Sequence, residues 1–218
     1  MQNASRGILK TRSSLNPWLA APWLNHKIFR MDWLHISDIG ATADFIGNFF
    51  HEVSGFFRSS SKQEGCCSIY TRMHFLHGDS DAPDRFDCLI PPFFEPKDQP
   101  YRIRRNAAKI KALVPFVWQL AQEMLDINVP KHATLRQVAI HLHEMYCASS
   151  ADHPTPRASM KERGLKFALQ YVGLHDFVNA ADDRAFRIKP KLHLLVHFTS
   201  DNNLPRPTWT CSAEDFGG

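Results

Sequence analysis

No aspartate or glutamate occurs in the first 31 residues, so carboxylate chemistry begins no earlier than Asp32. Cysteine is sparse. Cys66, Cys67, Cys88, Cys147 and Cys211 form an odd set without a Cys-x-x-C pair, which argues against a disulfide framework and for a reducing compartment. No apolar run approaches the roughly 18 residues of a membrane span. A phosphate-binding Gly-rich loop, a Gly-x-Ser-x-Gly elbow, a dinucleotide fingerprint and internal repeats are all missing, and strand signals are few. What remains is a 218-residue chain with 44% hydrophobic and 11% aromatic residues, the composition of one folded domain or one and a half. Its net charge of +4 and pI near 8.8 permit a nucleic-acid partner without demanding one.

Two short units carry the chemistry. Asp32 and His35 are three residues apart, and His193 and His197 are four apart. Each pair therefore occupies one face of a helical turn and can offer two ligands to one ion. Together they make a carboxylate and three imidazoles, a set suited to a closed, structural zinc site. The structural alternative has Asp32 as a helix N-cap and the histidines as packed side chains bonded to carbonyls. A rival zinc site joins Cys66-Cys67 to His74-x-x-His77, although adjacent cysteines rarely reach one ion without backbone strain.

The run Arg30-Met31-Asp32-Trp33-Leu34-His35-Ile36-Ser37-Asp38-Ile39-Gly40, with the apolar stretch to Phe50, resembles a segment of CACTA-type cut-and-paste transposases: Asp or Cys, two residues, His, then a hydrophobic-Gly pair. Lys189-Pro190-Lys191-Leu192-His193, His197 and then Ala213-Glu214-Asp215-Phe216-Gly217 resemble that family's closing segment. The resemblance implies that Asp32, His35, His193 and His197 hold zinc and bracket a helical insertion in an RNase H-like core. It also implies that Glu214, with Asp215 as competitor, is the third catalytic carboxylate. Two earlier aspartates, which the family uses for Mg- or Mn-dependent strand cleavage and transfer, have no counterpart in residues 1–31. The expectation is an internal piece of a transposase, not catalytic on its own, with DNA as partner and the nucleus as location by resemblance. Two other readings stay open. One is a non-catalytic helical DNA-binding or interaction module. The other is an independent zinc hydrolase, disfavoured because four protein ligands leave no open position for water.

The expected fold is mainly α, the helical insertion region of an RNase H-like transposase with an incomplete sheet. Residues 1–30, basic and broken by Pro17 and Pro22, are expected to form a poorly ordered arm; 31–218 form the helical region. Helical spacing predicts an aromatic-faced helix over 41–57, where Gly47 and Gly55 permit close contact. Residues 58–100 predict a long irregular connection. A helix over 101–127, kinked or split at Pro115, places Arg102, Arg105 and Lys109 on one face able to track DNA phosphates. Further helices are expected from Thr134 to Ala148, from near Met160 to Gly173 behind a loose Ser159-x-x-Glu162 capping box, over 174–182, and from Pro190. The apolar neighbours of His193 and His197 predict burial, which would favour a metal. The basic stretch Arg184, Arg187, Lys189 and Lys191 is a further candidate for DNA contact.

Overall fold

A computed structural model of the protein describes residues 33–56, 61–77, 99–149, 153–177 and 183–200. The architecture is mainly α. Among the described residues there is a π-helical segment, Leu34–Thr42, and six α-helices: α1 Ala43–Ser54, α2 Lys62–His77, α3 Ala107–Met124, α4 Pro130–Ala148, α5 Pro156–His175 and α6 Pro190–Ser200. No strand occurs among them. The arm expected over 1–30 lies outside the described residues.

Capping chemistry sets several boundaries. The Asn106 side chain accepts a hydrogen bond from the Lys109 amide at 3.0 Å, so α3 starts at Ala107 rather than at 101. Residues before it are extended: Tyr101 and Ile103 are buried, and the Ile103 amide donates to the Ala43 carbonyl at 3.0 Å. Pro115, on the exposed side of α3, does not split that helix. Pro130 and Pro156 open α4 and α5, where a missing amide hydrogen costs nothing, so α5 begins upstream of the Ser159 box. No separate helix over 174–182 is seen among the described residues; α5 itself runs to His175.

The irregular connection expected over 58–100 contains a full helix, α2. Ser61 accepts from the Glu64 amide at 3.3 Å and caps it. Cys66, Ile69 and Met73 form its buried face, a stripe obscured in sequence because one member is a cysteine. The vicinal thiols separate: Cys66 is buried and Cys67 exposed, as adjacent helical positions require.

An aromatic cluster fills the core. Phe45 packs edge-on to Phe167 with ring centroids 5.9 Å apart, Phe50 meets Phe116 at 6.4 Å, and Tyr171 meets Phe186 at 6.1 Å. Gly47 lets α1 lie directly on the extended segment, because a Cβ there would collide with the backbone of Arg102. Asn48, one residue on, ties three strands of chain together. Its amide nitrogen donates to the Asp44 carbonyl at 2.7 Å and the Tyr101 carbonyl at 3.3 Å, and its oxygen accepts from the Phe186 amide at 2.6 Å. That last bond fixes Phe186, which is buried in the left-handed region at φ 45°.

Candidate metal centre

The carriers of His35 and of the His193–His197 pair, the π segment and α6, pack together. Trp33, just ahead of the π segment, lies against Phe198 of α6 with ring centroids 5.5 Å apart and meets Tyr146 of α4 at 5.6 Å. The π segment breaks its helical course at Gly40 (φ −107°, ψ −110°). A Cβ at Gly40 would stand 2.7 Å from the His35 carbonyl oxygen and 3.1 Å from Lys191 Cδ, so the glycine permits both the turn and the approach of α6.

On α6, His193 and His197 present Nε2 atoms 2.9 Å apart. That is a hydrogen-bond distance between the two rings; nitrogens bound at roughly 2.0–2.1 Å to one tetrahedral zinc ion stand about 3.3 Å apart, so a small spreading of the pair would admit the ion. Both side chains are exposed, as is His35. This corrects the expected burial: Leu192, Leu195, Phe198 and Thr199 form the inward face of α6, and helical spacing turns positions 193 and 197 away from it. The histidines therefore need no metal to satisfy buried nitrogens. Among the described residues no three His, Cys, Asp or Glu side chains converge as a ligand set, so His35 does not complete a triad with the pair. Asp32, Glu214 and Asp215 lie outside the described residues.

The expected phosphate-tracking face is not assembled as foreseen. Arg102 precedes α3, and its guanidinium donates to the Ile39 carbonyl and lies 3.7 Å from Asp44. Arg105 also precedes the helix, which leaves Lys109 in the first turn of α3. The Asn106 cap is the cause: it makes 101–105 extended, so helical spacing does not relate the three residues. The later basic stretch is likewise divided. Arg184 donates to the Tyr101 hydroxyl at 2.8 Å, Arg187 pairs with Asp183 at 2.6 Å, and Lys189 pairs with Asp44 at 2.7 Å. Lys191 lies close enough to Arg102 to feel its charge, and burial followed by that neighbour lowers its pKa.

Two buried acids escaped the sequence reading. Asp38 and Asp44 are each 4% exposed. Asp38 accepts from the Tyr146 hydroxyl, which also lies 3.3 Å from Ser37 Oγ and 3.0 Å from Thr42 Oγ1. Asp44 carries the Lys189 and Arg102 contacts. Their signal was present: they are the two charged residues in the stretch from Ile36 to Phe50. Elsewhere, His143 stacks on Trp118 at 4.6 Å and stands 3.7 Å from Cys147 Sγ.

No family model, curated protein or solved structure matches this chain. No helix among the described residues is long and apolar enough to cross a membrane.

Proposed function

We propose that this chain is a CACTA-type transposase-derived helical protein in which a structural zinc ion clamps the leading and closing segments, and that it does not cleave DNA unaided. The observation that supports this reading is the packing of the π segment on α6, with Trp33 against Phe198, which brings the carriers of His35 and of the His193–His197 pair into contact. Asp32, His35, His193 and His197 would hold the zinc, with the exposed His35 side chain turning toward the pair, which it does not meet in the structure. The ion supplies cross-linking rather than catalysis, since four protein ligands leave no site for substrate. Joining positions so far apart in sequence stabilises the fold by on the order of a few kcal/mol through the unfolded chain's lost entropy. Glu214 stands as the third carboxylate of the family pattern, which would act with Mg or Mn and two further carboxylates on DNA; residues 1–31 supply neither. DNA is the proposed partner and the nucleus the proposed location.

Zinc content of the purified chain tests the proposal. The expected result is about one zinc per chain, the stoichiometry of a closed site, lost in both His193→Ala and Asp32→Ala together with thermal stability. A well-folded, zinc-free sample sinks it. The exposure of all three histidines supports a second reading, a non-catalytic helical DNA-binding or interaction module. There, salt-dependent DNA binding would fall on charge reversal at Arg105 and Lys109, with no response to chelator. Arg102 is a poor choice for that test, since its reversal would also break the contact to Ile39.

A further inference from the structure

We propose that Arg102, Lys189 and Lys191 form a binding site for a phosphate oxyanion where the π segment meets the start of α6, apart from the histidine pair and independent of any metal. Two pieces of chain deliver the cations: the segment before α3 carries Arg102, and the start of α6 carries Lys189, just ahead of the helix, and Lys191, in its first turn. Asp44 is the carboxylate they share. Its Oδ1 lies 2.7 Å from Lys189 Nζ and 3.7 Å from Arg102 Nε. Lys191 runs along Gly40, the residue next to Ile39, whose carbonyl the Arg102 guanidinium meets. Three positive groups around one negative group leave an excess of two charges.

Surface lysines ordinarily relieve such crowding by swinging apart into water. Here the chain holds them together. The Lys191 stem lies on Gly40, its Cδ 3.1 Å from where a Cβ would stand. The Arg102 guanidinium is anchored on the Ile39 carbonyl, and Lys189 on Asp44. All three remain partly exposed, with side-chain accessibilities of 33% for Arg102 and 28% for Lys189, so a solute can reach them. The amide end of α6 adds partial positive charge to the same place. A carboxylate offers two oxygens, whereas a phosphate offers oxygens in several directions and so suits a group of three cations. Inorganic phosphate and the phosphodiester of nucleic acid present that same chemistry.

The test is titration calorimetry of the full chain with inorganic phosphate at low ionic strength, beside fluorescence anisotropy with a short duplex DNA, both in chelator. Saturable phosphate binding is expected, weakened about tenfold by Lys191→Ala and largely retained by Lys191→Arg, the scale of one charge-assisted contact. Lys161→Ala, which removes the same charge from an exposed position on α5, should leave binding unchanged. Thermal unfolding of each variant checks that the fold persists. A parallel loss of DNA affinity in Lys191→Ala identifies the phosphodiester as the ligand; loss toward inorganic phosphate alone identifies the free anion. Absence of saturable binding, or equal loss in Lys161→Ala and Lys191→Ala, overturns the site. Because both titrations are run in chelator, the contrast between Lys191→Ala and Lys161→Ala stands or falls whether or not the chain carries zinc, which separates failure of this site from failure of the zinc reading.

Discussion

The Tyr146 hydroxyl sits at the junction of Asp38, Ser37 and Thr42, with no water-filled route needed to satisfy it. Tyr146→Phe removes a donor from a buried carboxylate and should lower the unfolding free energy by about 1–3 kcal/mol in urea denaturation; an unchanged midpoint would contradict the network's role. Burial also pushes the Tyr146 and Tyr171 hydroxyls above the ordinary phenol range. The folded chain keeps those protons when the unfolded chain has released them, so stability should fall as pH rises past about 10. The histidines act at the other end. Burial lowers the pKa of His141, against the opposing pull of Glu144, and of His143. The unfolded chain then binds protons first, so stability is complete above about pH 6.5 and is lost as pH falls through the lower folded values. Melting temperature followed from neutral to mildly acid pH should show this decline, less steeply in His141→Gln.

At the scale of elements, the meeting of α1 with the extended segment depends on the absence of one methyl group. Gly47→Ala should destabilise by about 1–3 kcal/mol, the cost of forcing packed backbone apart, measured by chemical denaturation; a neutral result would mean that the segment shifts freely. Helices with aromatic or aliphatic stripes were legible from spacing, and α1 and α4 lie close to where the pattern puts them, while α6 starts at Pro190 as a first-turn proline implies. Three features were not. A single asparagine cap converted the first residues of an expected helix into extended chain, and this redirected Arg102 from a solvent face to the Ile39 carbonyl. The buried face of α2 used a cysteine and a methionine where the eye looks for leucine. The exposed histidines of α6 were misjudged because their sequence neighbours are apolar, although on a helix a neighbour in sequence points about 100° away. Of the candidate site, the motif order named the residues but not whether their carriers meet; the π segment and α6 do pack together, while among the described residues no three ligand side chains converge. The burial of Asp38 and Asp44 requires knowing which partners approach from a distance.

For the molecule as a whole, packing is uneven. α4 and α5 share the most extensive interface, while α2 rests chiefly on α1. Native-state hydrogen exchange should therefore find the α4 and α5 amides opening only with global unfolding, and the α2 amides opening locally at lower free energy; equal protection throughout would refute that division. The contact of the π segment with α6 has one more consequence. Trp33, the first described residue, packs on Phe198 near the last, with ring centroids 5.5 Å apart, so the two ends of the described body hold each other in place. Loosening either end would uncover the apolar face of the other, so the start of the π segment and the end of α6 should fray together rather than one at a time.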